Sequence, residues 1–161
     1  MSDKIGLVTG SFDPPTKGHL AIIQRASHLF DQLYVGIFYN ENKQGLLSLA
    51  QRQEILEKVV RDMPNVAIVT SRHRLVVDVA RELGVTHLVR GLRNATDLEY
   101  ENNMEFYNRN LAPEIETVYF TAHASERELS SSRIRELIHF GGDYQPYVPK
   151  EVVEVVEGEQ E

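Results

Sequence analysis

At 161 residues, with 42% hydrophobic and 25% charged side chains, the chain has the length and composition to bury one substantial core. It has no cysteine, which excludes disulfides and thiolate catalysis, and its formal net charge of −7 speaks against a protein that grips nucleic acid through phosphates. The longest apolar runs, such as residues 33–39, are too short to span a bilayer, and no basic stretch followed by an apolar one opens the chain, so a cytoplasmic protein without a membrane segment is expected.

Strand and helix patterns alternate along the chain. Residues 4–9 read as a short buried strand, and residues 19–30 as a helix with Leu20, Ile23, Ala26 and Phe30 on one face. Residues 33–39 form a second strand pattern. Residues 49–63 read as a helix that Ser48 and Gln51 open as a capping box. A third strand follows at 66–70, then a helix at 75–83 that Gly84 closes, then a fourth strand at 86–90. Residues 97–111 read as a helix halted before Pro113, and 116–121 as a fifth strand. The serines at 130–132 offer caps for a helix over 130–140, and Pro149 starts a last one over 149–156. The acidic residues 157–161 are expected to fray.

Strands separated by helices indicate βαβ units. Right-handed crossovers then predict an α/β fold, a Rossmann-like doubly wound parallel sheet of about five strands in one domain over residues 1–161. Ligands of such sheets bind outside the carboxyl ends of the strands, so the segments that follow each strand hold the candidate site.

After the first strand comes GSFDPPTKGH, residues 10–19. It is neither G-x-G-x-x-G nor a Walker A motif. A glycine at the strand end and a stiff turn into a helix suit a polyphosphate, because amides at a helix N-terminus favour negative charge. Gly18 lets a phosphate approach, and His19 can offer a ring N–H. Taken alone, this could equally be an ordinary strand–helix turn. After the fifth strand comes LSSSRIR, residues 129–135, whose hydroxyls could cap a helix or reach phosphate. After the fourth strand comes RGLR, with Arg90 and Arg93 at the binding edge, where a planar fork suits phosphate oxygens. Asp97, Glu99 and Glu101 follow, and charge at a helix N-terminus would also explain them.

The T-x-G-H string resembles the signature of the adenylyl- and cytidylyltransferase superfamily, and LSSSRIR resembles its second motif, with Leu129 for the usual Ile and Ser132 where many members have Thr. The block RGLRNATDLEYE is similar to that of the bacterial phosphopantetheine adenylyltransferase family. Three motifs in order and spacing carry this resemblance across most of the chain.

The resemblance implies adenylyl transfer from ATP to 4′-phosphopantetheine, giving dephospho-coenzyme A and pyrophosphate. It implies catalytic roles for His19, Lys43, Ser11 and Arg93. On the ATP side it implies Ser11, Phe12, Gly18, His19, Gly91, Leu92, Arg93, Asp97 and Glu101, then Glu126, Arg127, Glu128, Leu129, Ser130, Ser131 and Ser132. On the acceptor side it implies Gly10, Ser11, Lys43, Leu75, Val76, Arg90, Met104, Asn108 and Glu136. Mg²⁺ is expected to arrive with ATP rather than in a protein cage, because the other histidines lack metal-ligand spacing. The resemblance further implies a homohexamer and feedback by coenzyme A. Two other readings remain: a related transferase with another acceptor, such as nicotinamide mononucleotide or glycerol 3-phosphate, and a non-catalytic nucleotide or RNA binder.

Overall fold

A computed structural model describes residues 3–40 and 45–159. Five strands form one parallel sheet: β1 Ile5–Gly10, β2 Gln32–Tyr39, β3 Val66–Arg72, β4 His87–Leu92 and β5 Glu116–Thr121, in the order β3-β2-β1-β4-β5. The chain leaves β1 in one direction for β2 and β3, then returns to pair β4 on the other side of β1. The carboxyl ends of β1 and β4 therefore flank a topological switch point, where the sheet opens a crevice.

Side chains on successive strand residues point to opposite faces, so each strand feeds two cores. Val8, Leu33, Val35, Ile37 and Val89 pack with Ile23, Ala26 and Leu56, on the face covered by α1 (Lys17–Ser27) and α2 (Leu49–Val59). Leu7 and Leu88 pack with Val77, Ala80, Ala112 and Ile115, under α3 (Val76–Leu83) and the end of α4 (Ala95–Leu111). A third cluster joins Leu47, Ile55 and Ile134 to Val148, Val152 and Val156, from α5 (Ser131–His139) and α6 (Lys150–Glu159).

The five strands and six helices all match predicted segments, and the corrections lie at their ends. The first helix starts at Lys17 rather than 19, because Thr16 is its cap. It ends at Ser27, where the Ser27 hydroxyl donates to the Gln24 carbonyl at 2.6 Å. The second ends at Val59, yet Val60 and Met63 still reach the core through a turn, since burial does not require α geometry. The fourth helix starts at Ala95 rather than 97, because Asn94 caps it, accepting from the Asp97 amide at 2.9 Å. The last helix runs on to Glu159, three residues beyond its predicted end. A 3₁₀ turn at Gln145–Tyr147 had no sequence signal.

Candidate active site

The loop between β1 and α1 is fixed from several directions. Phe12 adopts a left-handed backbone (φ 52°), and its ring is buried against the edge of His19, with centroids 4.9 Å apart. Asp13 is buried; its carboxylate accepts from the amides of Leu46 and Leu47, each at 2.8 Å. Arg52, also buried, lies 3.6 Å from that carboxylate and donates to the carbonyls of Leu47 and Ser11. Gly45 allows this closure, because a Cβ there would meet the Arg52 guanidinium at 2.3 Å and Asp13 at 2.5 Å. Ser11 itself stays exposed at the loop crest.

At the start of α1, the Thr16 hydroxyl accepts from the His19 amide at 3.3 Å, while His19 Nδ1 accepts from the Thr16 amide at 3.0 Å. This is a capping box with histidine in the usual place of Glu or Gln. An Nδ1 that accepts a backbone N–H leaves the ring proton on Nε2, so the neutral imidazole is a directed donor. Desolvation, helped by the positive charges of Arg93 and Arg90, lowers its pKa to about 4, so the ring is neutral near pH 7.

The second motif is laced to the first. The Ser131 hydroxyl donates to the Pro14 carbonyl at 2.8 Å, and Arg135 donates to the Asp13 carbonyl at 2.7 Å. Ser130 caps α5 by accepting from the Arg133 amide, and the Ser132 hydroxyl accepts from Arg135. Each of the three hydroxyls thus has a partner within the protein, and the α5 amides are the groups left to meet an anion. Gly18 serves a close approach between chain segments: a Cβ would lie 3.3 Å from Thr16 Oγ1 and within 4 Å of Leu129 and Glu126.

The two arginines after β4 take different stations. The Arg93 amide and Nε both donate to Asp97, at 2.9 and 3.3 Å, and its Nη1 reaches the Leu129 carbonyl at 3.2 Å. Arg93 thereby ties the end of β4 to α4 and to the segment before α5, beside His19. Gly91 and Leu92 lie between the two arginines at the strand end, while Arg127 and Glu128 are exposed. Arg90 turns the other way. It makes a two-pronged ion pair with buried Glu101, at 2.9 and 2.7 Å, and its Nη1 donates to Thr9 Oγ1 at 2.6 Å.

Arg90 and Glu101 lie at one cavity of about 250 Å³ between the sheet and α4. Gly10, Ser11, Val76, Met104 and Asn108 also line it, so six of the nine residues placed on the acceptor side converge there. Glu101, placed on the ATP side from sequence, lines the same cavity, its carboxylate paired with Arg90. Leu75 is exposed beside Val76 at the start of α3. Glu136 is not in the cavity; it pairs with Arg133 at 3.0 Å beside a separate shallow hollow. Lys43 lies outside the described residues. Asp13, Arg52 and Arg135 were not singled out from sequence, and only their partners reveal them. Among the described residues, no cluster of three His, Asp or Glu could hold a metal ion, and no helix is long and apolar enough to cross a membrane.

The cytidylyltransferase-like family model matches residues 7–137, which include all three motifs and the crevice they line. Along its whole length the chain is 58% identical to the phosphopantetheine adenylyltransferase of Streptococcus suis, covering 99% of that protein. It is 60% identical over 156 residues to the protein of the same name in Streptococcus mutans, with 97% of this chain and 94% of that one aligned. The chain belongs to the phosphopantetheine adenylyltransferase family. This family member also shares its fold with a solved structure from Vibrio parahaemolyticus, provisionally assigned as a nicotinate-nucleotide adenylyltransferase. The two superpose with a TM-score of 0.68 at 18% identity, over 97% of this chain and 93% of the other.

Proposed function

We propose that this protein transfers an adenylyl group from ATP to 4′-phosphopantetheine, releasing pyrophosphate and forming dephospho-coenzyme A. The observation that carries this reading is the division of labour at the switch point. A neutral Nε2–H donor, Arg93 and two helix N-termini gather on one side, and Arg90 at the mouth of a cavity gathers on the other.

The reaction joins two polyanions. An oxygen of the acceptor phosphate attacks the α-phosphorus of ATP, the bond to the β-phosphate breaks, and pyrophosphate leaves. No covalent enzyme intermediate is required. Catalysis then rests on positioning and on charge stabilisation along the path. His19 Nε2–H donates to an oxygen of the α-phosphate, and Arg93 with the amides of α1 and α5 holds the triphosphate. Arg90 takes the acceptor phosphate, with Lys43 assisting by family resemblance, and Ser11 stands between the two. The described residues offer no cage of carboxylates, a donor set that suits a Mg²⁺ carried on the triphosphate and its waters. There the ion supplies charge neutralisation.

The whole chain, 1–161, is read as one nucleotidyltransferase domain of the cytoplasm. A homohexamer is carried over from the family resemblance, and the apolar side chains exposed on α4, among them Leu98, Phe106, Tyr107 and Leu111, are ones that such an assembly would cover. Sedimentation analysis tests it. Coenzyme A, which carries the same pantetheine arm, is expected to compete with phosphopantetheine for the cavity.

A panel of acceptors, scored by pyrophosphate release, tests the function. Phosphopantetheine should turn over, while nicotinamide mononucleotide and glycerol 3-phosphate should not. Release with either of those alone would overturn the proposal, and nucleotide binding without release would indicate a sensor.

A further inference from the structure

The wall of the acceptor cavity carries, besides Glu101, a second carboxylate that no motif explains. Glu105 and Tyr119 line the space together with apolar Phe38, Val76, Leu88 and Met104. The Tyr119 hydroxyl donates to Glu105 Oε2 at 3.0 Å, and Arg109 donates to Oε1. The Glu105 side chain is only 19% exposed. A carboxylate in such a place costs stability unless it is well partnered. Two donors satisfy it only in part: each carboxylate oxygen has two lone-pair sites, and one donor on each leaves accepting capacity toward the cavity. Burial and the neighbouring Glu105 push the Tyr119 hydroxyl up to about 12, so it remains a donor and holds the carboxylate in one orientation.

We infer that Glu105 is a specificity residue of this cavity, accepting an amide N–H from the arm of the acceptor, with Tyr119 and Arg109 as its positioning residues. The inference rests on the proposed function and adds to it how the arm is told from other phosphorylated alcohols. The acceptor is an anion with a long tail that bears two secondary amides and apolar carbons. Arg90 recognises the anion at the mouth, the apolar wall takes the carbons, and a fixed acceptor inside selects for a tail with N–H groups. A phosphorylated alcohol without amides would leave Glu105 with no donor to replace the water it loses, and a site built to hydrogen-bond discriminates against ligands that lack the partner.

Two acceptor analogues test this, each with one of the two amides replaced by an ester, which keeps the shape and removes the N–H. Wild-type protein should lose roughly tenfold in kcat/KM on one analogue, the loss expected for a hydrogen bond to a charged group. Glu105→Ala should lose about as much on phosphopantetheine itself, yet no longer distinguish that analogue from the amide, with the KM for ATP unchanged. Tyr119→Phe should narrow the amide-to-ester ratio in the presence of Glu105 and leave it unaltered in Glu105→Ala, as coupled residues do. Should Glu105→Ala not fold, Glu105→Gln makes the same comparison, its neutral acceptor reducing the ratio to about threefold. Equal losses on the ester in wild type and variant, or a wild type indifferent to both esters, would overturn the inference alone. A wild type that releases no pyrophosphate with phosphopantetheine would overturn it together with the proposed function.

Discussion

His19 holds two jobs in one ring. Nδ1 closes the capping box, which leaves the ring proton on Nε2, the donor proposed for the α-phosphate. His19→Ala should therefore cost about 1 kcal/mol of stability from the lost cap, and separately lower turnover roughly 10²-fold or more from the lost donor. Steady-state kinetics on protein shown to be folded by circular dichroism would separate the two, and wild-type turnover would remove His19 from the reaction. The depressed pKa has a second consequence. The unfolded chain takes up this proton near the ordinary value of 6.5 and the folded chain only near 4. The stability present above pH 6.5 is then lost as pH falls from about 6.5 towards 4. Across that range the melting temperature should fall more steeply with falling pH in wild type than in His19→Gln. A bound triphosphate, being an anion opposite the ring, should raise the His19 pKa in an NMR titration. Glu101 presents a similar division. Its carboxylate is buried against Arg90 in the cavity proposed for the acceptor. Glu101→Ala should thus raise the KM for phosphopantetheine more than that for ATP, and a selective effect on ATP would return Glu101 to the nucleotide.

At the scale of elements, the site depends on joints between segments distant in the chain. Asp13 and Arg52 join the loop after β1 to the start of α2, and Ser131 and Arg135 join it to α5. Gly45→Ala would drive a methyl group into the first of these joints. It should destabilise the protein by about 1–3 kcal/mol, as overpacking does, with a matching fall in kcat/KM for the acceptor. A denaturant midpoint equal to wild type would show that the joint yields without cost. The cap of α4 is placed by tertiary demand as much as by local preference. Asn94 takes the capping role and leaves Asp97 free to hold the amide and guanidinium of Arg93.

For the molecule as a whole, the two faces of the sheet and the α5–α6 corner form three apolar clusters, and the third supports the crevice from behind. Val152 is fully buried with Ile134 of α5, whose first turn faces the crevice. Val152→Ala removes two buried carbons and should cost about 2 kcal/mol. Its effect on ATP affinity, read by calorimetric titration, should be small if α6 only supports α5. A large loss of affinity with an unchanged melting temperature would contradict that order of cause.

By itself, the sequence determined what depends on neighbours within a few residues. The apolar run of 33–39, the capping box at Ser48 and Gln51, and the glycine after 75–83 all set local elements, and alternation of strands with helices set the parallel sheet. The short motifs also marked which strand ends carry the site, because their chemistry lies in contiguous residues. The tertiary structure alone decided how those residues are shared out. Arg90 meets Thr9 across 81 positions of chain, and Arg135 meets Asp13 across 122. No periodicity encodes such pairings. They arise because the β1–β4 crossover brings two strand ends together and because a buried polar group must find a partner wherever the fold offers one. For that reason Glu101 meets Arg90, Ser131 reaches the Pro14 carbonyl, and Glu105 with Tyr119 comes into view only once α4 lies over β5.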